Sequence, residues 1–240
     1  EGYCIIPDAL PAATIAALEA DLDPVFEATP LCQGRFYGER TKRFGGLLKR
    51  SPHAAALVLN PIVLSMVDEV LGLACDRIQL NVAQAIEIHP GEVSQFPHRD
   101  HDMWQGDKGG HEYLINVIWP LTPFTRENGF LGSTAHGAGA NRSTGARRGV
   151  VIGYSLGWLK PYENQWLVYP PEVARTFPRE LAALVGYAQH RPNLGNYEGQ
   201  CPSILLGDTV PDHIGAIDAL RPDQEEMIAR FDEAAAGQAA

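Results

Sequence analysis

Apolar and polar residues alternate from Ile78 to Ile88, a run of period two that predicts a half-buried strand ended by the turn His89-Pro90-Gly91. Glu112 to Leu121, rich in Ile, Val, Tyr and Trp, predicts a second strand, and Arg147 to Trp158 a third. Upstream the spacing is helical. Ile15, Leu18 and Leu22 recur on one face of a helix that opens at Pro11 and is expected to stop at Pro24. Pro52 to Leu73 predicts two short helices broken at Pro61, and Tyr3 to Ile6 an edge strand or lead-in. Downstream, Arg179 to Tyr187 and Pro222 to Ala235 predict helices. The expectation is a single domain over 1–240, mainly β with flanking helices. It divides into a helical part over about 1–76, a β core over about 77–160 and a helical or loop tail over about 161–240.

The third strand separates into two unlike faces. Its odd positions from Arg147 read Arg, Gly, Val, Gly, Ser, Gly, and its even positions read Arg, Val, Ile, Tyr, Leu, Trp. The large apolar face is expected under helices, and the small face is expected to line an interior with room for a bound molecule. Arg147 heads the small face, where a guanidinium needs an anion because an unpaired buried charge is costly. A ligand carboxylate would match its planar fork; a carboxylate of the protein itself is the alternative. Arg148 points the other way and reads as structural.

The candidate chemistry sits in Gln95-Phe96-Pro97-His98-Arg99-Asp100-His101-Asp102-Met103-Trp104. In extended chain, residues two apart share a face, so His98 and Asp100 can meet one metal ion, with His136 in Ser133-Thr134-Ala135-His136-Gly137-Ala138-Gly139 as third ligand. Two histidines and a carboxylate make the facial triad of non-haem Fe(II) oxygenases. His101 alternates to the other side, and Trp104 is placed to line an entrance. The remaining tryptophans (Trp119, Trp158, Trp166) read as core. Gly34 to Gly46, with Arg35, Arg40, Lys42 and Arg43, is either a solvated basic loop or a lid that recruits an anionic or polar substrate.

Composition narrows the field. A net charge of −10 over 240 residues lacks the basic footprint of a nucleic-acid binder, although a local basic patch could still hold an anionic small-molecule substrate. No apolar run is long enough to span a membrane. Four dispersed cysteines without a C-x-x-C pair read as reduced thiols, giving a cytoplasmic expectation. The sequence opens at Glu1-Gly2-Tyr3 without Met, and a start upstream is expected.

His98-x-Asp100, Thr125-Arg126-Glu127-Asn128-Gly129, His136-Gly137-Ala138-Gly139-Ala140-Asn141-Arg142-Ser143, Arg147-Arg148-Gly149 and Tyr154-Ser155-Leu156-Gly157-Trp158-Leu159 together resemble the phytanoyl-CoA dioxygenase family. The resemblance implies a double-stranded β-helix (jelly-roll, cupin-like) core and Fe(II)- and 2-oxoglutarate-dependent oxygenation of a small organic metabolite by O2, releasing succinate and CO2. It implies His98, Asp100 and His136 as iron ligands. Arg147, eleven residues past the distal His, would hold oxoglutarate. Asn116 and Gln95 are either further cosubstrate contacts or structural hydrogen-bonders. Where relatives often carry a hydroxyl two residues past the distal His, this chain has Ala138, so one cosubstrate contact must differ. Related halogenases lack the carboxylate that Asp100 supplies, so hydroxylation or a kindred oxidation is implied.

Two rivals keep the barrel: a metal-dependent isomerase or hydrolase without redox chemistry, and a non-catalytic binding module. A second carboxylate clamp and an intact triad weigh against them. The oligomeric state is not legible. Finally, 38 positions separate His98 from His136, and five intervening jelly-roll strands would need roughly 40 residues by themselves. Two accounts follow: a real deletion that shortens the barrel, or, in preference to it, a stretch of chain absent between Gly129 and Phe130 that forms a mobile lid beside the site.

Overall fold

The computed structural model describes residues 2–107, 109–129, 136–210 and 212–238. The Gly129–Phe130 junction, where the lid segment is expected, lies outside these residues.

Helix α1 spans Ala12–Ala28 and buries Leu18, Leu22 and Phe26 at helical spacing. It does not stop at Pro24. The proline sits on the exposed side of the helix, and burial of Phe26 two residues further on holds the chain helical beyond it. The helix ends at Thr29, whose N–H and hydroxyl both donate to the Val25 carbonyl at 2.9 and 2.7 Å. Helices α2 (Ala54–Val58) and α3 (Pro61–Leu71) meet at the expected break. Asn60 caps α3 by accepting from Ile62 and Val63 N–H at 3.1 and 3.2 Å, and Pro61 occupies the first turn, where its missing N–H costs nothing.

Four antiparallel strands form one sheet in the order β1-β2-β4-β3: β1 Thr41–Phe44, β2 Ile78–Ile88, β3 Leu114–Pro120 and β4 Arg147–Leu156. The last three are the strands expected from the pattern. β1 is not: it comes from the basic stretch 34–46, inside the part expected to be helical, and pairs Arg43 with Ile86. Strand β2 also departs from simple alternation. A bulge between Leu80 and Val82 moves Val82 to the opposite face, so that Leu80 and Ala83 both point to the core. The extra residue, Asn81, is buried, and its side-chain and backbone oxygens accept from Tyr162 N–H (2.7 Å), Glu163 N–H (3.0 Å) and the Gln165 amide (3.3 Å).

The helix-covered face carries Phe44, Ala83, Ala85, Val150, Ile152, Tyr154 and Leu156, all buried. Tyr154 Oη donates to the Val58 carbonyl at 2.7 Å and pins α2 to β4. Residues beyond 160 are more than a tail: Tyr169, Leu181, Val185 and Tyr187 belong to the same core, and Tyr187 Oη donates to the Tyr169 carbonyl at 2.9 Å. Short helices α4 (Gln165–Val168), α5 (Pro171–Ala174) and α6 (Arg179–Leu184) carry that segment, and α7 (Pro222–Gln238) projects from it. Trp119 is buried as expected, whereas Trp158 and Trp166 reach the surface with their indole N–H bound to the carbonyls of Ala74 and Gly186. No helix among the described residues is long and apolar enough to cross a membrane.

Opposite the helices, a second layer is built from segment 91–98 running antiparallel to segment 136–141. Its backbone bonds join Gly91 to Asn141, Gln95 to Ala138, and His98 to His136 in both directions at 2.8 and 2.9 Å.

Candidate metal centre

That ladder is what brings the two histidines together: His98 and His136 face each other across it, with ring centroids 4.7 Å apart. After Arg99, still extended, the chain enters a 3₁₀ turn at Asp100, which swings the carboxylate between the two rings. Its Oδ1 lies 3.2 Å from His98 Nε2 and its Oδ2 lies 3.2 Å from His136 Nε2. One ligand atom from each of the three residues fits within 4.8 Å of the others. His98 Nδ1 is 2.9 Å from the Phe96 carbonyl, which fixes the tautomer whose Nε2 lone pair faces the centre. Burial drives the Asp100 carboxyl upward, but the His136 hydrogen bond, the charges of His136 and His98 and the Asn116 amide outweigh it and hold it below the usual range. The same Asp100 hydrogen bond, against burial, raises His136.

Asn116, on β3, donates from Nδ2 to Asp100 Oδ2. Its neighbour across the ladder is Gly153. A Cβ at position 153 would lie 2.7 Å from Asn116 Oδ1, so glycine there is what lets the amide lie against β4 and reach the carboxylate. Gly149 plays the same part for Phe124, whose ring would meet a Cβ at 2.8 Å. The small face of β4 is therefore partly filled by the protein's own side chains, a correction to the open interior expected from sequence. Gln95 is not aimed at the centre. Its amide donates to the Phe36 carbonyl at 2.9 Å and accepts from Ala138 N–H at 3.2 Å, so both ends are taken by backbone.

Arg147 and Arg148 diverge as the face pattern predicts. Arg148 pairs with Glu87 and Asp23 on the helix face and lies over the Phe26 ring. Arg147 is 7% exposed, lies over the Phe124 ring with Cζ 5.2 Å from its centroid, and donates from Nη1 to the Asn128 carbonyl at 3.0 Å. It has no carboxylate partner among the described residues. The Asn128-Gly129 turn is locked against segment 139–142: Gly139 N–H donates to the Gly129 carbonyl at 2.8 Å, and a Cβ on Gly129 would lie 2.1 Å from the Gly139 carbonyl oxygen. Gly129 also has φ +85°, so two constraints demand glycine. Burial, and then the like charge of Arg43, lower Arg147 from the ordinary guanidinium value.

The basic stretch 34–46 is neither a solvated loop throughout nor a lid as far as Arg43 is concerned: Arg43 lies in strand β1. On β1 it shares the face of Arg147 and Asn116 and is lowered by burial, while Cys32, Tyr162, Tyr37 and Asp100 act on it in the opposite sense. Its Nη1 makes a long 3.4 Å contact with Gln84 Oε1. The alternation Thr41-Lys42-Arg43-Phe44 was the available signal: Thr41 and Phe44 are buried, while Lys42 turns away and donates to the Phe26 carbonyl at the end of α1 at 2.7 Å. Phe36 stands against His98 with centroids 4.9 Å apart. His101 pairs with its neighbour Asp102 at 3.4 Å, and Trp104 donates to the Lys160 carbonyl at 2.8 Å.

A family model described as Phytanoyl-CoA dioxygenase (PhyH) matches residues 1–129, a span that includes His98, Asp100 and Asn116 and ends before His136. Dioxygenase aneA of Aspergillus aculeatus is 28% identical over 171 residues, covering 53% of this chain and 57% of its own length. The multifunctional dioxygenase prhA of Penicillium brasilianum is 29% identical over 145 residues, covering 54% of this chain and 46% of its own length. The chain thus spans about half the length of these curated relatives. Among solved structures, the non-heme alpha ketoglutarate dependent epimerase SnoN from nogalamycin biosynthesis is 15% identical with a TM-score of 0.52, covering 65% of this chain and 79% of that one. This likeness is one of fold: an antiparallel jelly-roll core with flanking helices.

Proposed function

Because the chain belongs to the phytanoyl-CoA dioxygenase (PhyH) family, we propose that it is an Fe(II)- and 2-oxoglutarate-dependent dioxygenase that hydroxylates a small organic metabolite. The observation that carries this reading is the pairing of two features in one interior. A two-imidazole, one-carboxylate donor set lies within 4.8 Å, and on the same side of the sheet the buried guanidinium of Arg147 meets no carboxylate among the described residues. The donor set fits Fe(II) in chemistry and leaves one side free.

His98, Asp100 and His136 would hold the ion, and Asn116 orients Asp100 toward it. Bound Fe(II) with 2-oxoglutarate supplies an oxidation by O2 in which succinate and CO2 are released. Arg147 would bind the distal carboxylate of 2-oxoglutarate, which would supply the anion that the described residues do not give this buried guanidinium. Arg43, on the same face and lying against the Tyr37 ring, adds positive potential for the anionic cosubstrate. Phe36 packs against His98 and forms an apolar side of the centre. An Asp in the carboxylate position supports hydroxylation over halide chemistry, since it leaves no ligand place for a halide. A non-redox isomerase or hydrolase would have no use for an unpaired guanidinium on this face.

The chain reads as one domain, because Tyr169 and Tyr187 complete the core that Leu18 and Tyr154 begin. Its four free cysteines support a reducing, cytoplasmic setting, and its net charge of −10 supports a small-molecule partner over nucleic acid or an anionic membrane. The test is succinate formation from 2-oxoglutarate under air with added Fe(II), first without and then with a panel of small metabolites. His136→Ala should abolish it. Succinate release that is indifferent to iron, or that survives in His136→Ala, would overturn the reading.

A further inference from the structure

We propose that Tyr37 and Tyr162 form a clasp that positions the Arg43 guanidinium beside the metal centre and so sets the affinity for the anionic cosubstrate. The proposal rests on the oxygenase reading above.

The two phenols come from opposite sides of the site. Tyr37 lies on a loop between Gly34 and Gly38, at φ +92° and +93°, and Gly38 N–H donates to the Gly34 carbonyl at 3.1 Å. Two left-handed glycines fold the loop back on itself and set the Phe36 and Tyr37 rings side by side, 5.5 Å apart and edge to face. Phe36 is fixed at both ends of the residue: its ring packs against His98, and its carbonyl accepts from Gln95. Tyr37 faces Arg43, whose Cζ lies 5.5 Å from the ring centroid. Tyr162 arrives from the segment after β4 and is held at its backbone N–H by Asn81 Oδ1, the residue extruded by the β2 bulge. The two phenol oxygens are 2.5 Å apart.

The hydrogen bond is therefore the closing link of a chain from the β2 bulge through Tyr162 and Tyr37 to Arg43. Arg43 needs such a link. Its Nε is buried without a hydrogen-bond partner, and its contact with Gln84 is long. A guanidinium with so few fixed partners takes its orientation from the ring it lies on. Both tyrosines are well exposed, 39% and 45%, so the bond between them contributes little to the core. Its effect is local: with Phe36 anchoring the loop, what the bond adds is to hold the Tyr37 ring itself over Arg43, and without it that side chain is free to turn away. Burial and the Tyr37 hydrogen bond both push the Tyr162 phenol up, so it stays protonated and able to donate at any working pH.

The experiment uses the full chain loaded with Mn(II) as a redox-silent probe. Mn(II) affinity and then 2-oxoglutarate affinity are measured by titration calorimetry for the parent, Tyr37→Phe, Tyr162→Phe and the double variant. Loss of one hydrogen bond is expected to weaken 2-oxoglutarate binding about three- to tenfold. The loss should be equal in the two single variants and no larger in the double, with Mn(II) affinity and thermal midpoint unchanged. A parent protein that binds Mn(II) but not 2-oxoglutarate would overturn the oxygenase reading and the clasp with it. If the parent binds both, three results would overturn the clasp alone: parent-like affinity in Tyr162→Phe, additive losses in the double variant, or a parallel fall in Mn(II) affinity.

Discussion

Arg147 and Arg148 are adjacent on β4 and live in opposite surroundings. Arg148 is held by Glu87 and Asp23 on the helix face, while Arg147 is buried on the other face, where among the described residues it meets a carbonyl and an aromatic ring. One residue of phase along a strand separates a structural ion pair from the proposed cosubstrate-binding group.

The two arginines should fail differently. Arg147→Ala is expected to raise the 2-oxoglutarate requirement by about 2–4 kcal/mol of lost charge-assisted bonding, at least tenfold, with a small change in thermal midpoint. Arg147→Lys should recover only part, because a point charge cannot reproduce the fork. Arg148→Ala should leave the requirement near the parent value but destabilise the fold by about 1–3 kcal/mol. It removes the guanidinium partner of Glu87, whose side chain is 5% exposed and is left with His89 Nε2 at 2.7 Å; that remaining contact and the partial exposure of Arg148 keep the effect below that of a fully buried pair. Steady-state kinetics and urea denaturation separate the two, and equal kinetic effects would reverse the face assignment.

Asn116 and Gln95 are both amides near the triad, but only Asn116 touches a proposed ligand. Asn116→Ala should weaken divalent-metal binding by about 10- to 100-fold, the usual cost of losing a group that orients a metal ligand. Gln95→Ala should leave metal affinity within about twofold and instead loosen the backbone bonds to Phe36 and Ala138, which hydrogen exchange at Ala138 would report. A larger metal effect from Gln95 than from Asn116 would contradict the geometry.

Gly153→Ala tests the same relationship through the backbone. The added methyl would sit 2.7 Å from Asn116 Oδ1 and 3.1 Å from Val82 Cγ1, so the amide must give way. The expected phenotype is that of Asn116→Ala, and the double variant should bind metal no worse than either single one. Independent, additive losses would mean the methyl acts through Val82 and the strand instead.

Acid should loosen the junction between the C-terminal segment and the start of the sheet. His190 Nε2 accepts from Asp76 N–H at 3.0 Å, and burial depresses the imidazole below its ordinary value of 6.5, more than Asp76 raises it. A folded value below the unfolded one means stability that is complete above about 6.5 and is lost as pH falls through the folded value, because a protonated Nε2 cannot accept. The thermal midpoint should decline from pH 7 toward 5. In His190→Gln, whose neutral carbonyl can still accept, that decline should be shallower. An identical pH profile in the two proteins would remove His190 as its source.

The sequence alone determined three strands and the phase of one of them. β2, β3 and β4 are long enough for branched and aromatic residues to print a period of two. In β4 the contrast of glycine against Val150, Ile152 and Tyr154 told the two faces apart and placed Arg147 inside. His98 and Asp100 were legible because two residues of nearly extended chain suffice to bring them together. The tertiary structure decided the rest. β1 has four residues, two of them basic, and becomes a strand only because β2 is there to pair with it. α1 runs past Pro24 because Phe26 has a core to enter. The bulge at Asn81 exists to receive Tyr162, Glu163 and Gln165 from some 80 residues away, and it moves Val82 off the face that alternation assigned to it. Tyr37 and Tyr162 carry no local pattern, and the four residues of β1 give Arg43 only a short alternation, since the partners that would make each of them part of the site are distant in sequence. Periodicity records which side of its own element a residue faces. It carries no record of what is waiting there, because that is set by contacts between elements, each chosen by burial and hydrogen-bond satisfaction over the whole chain.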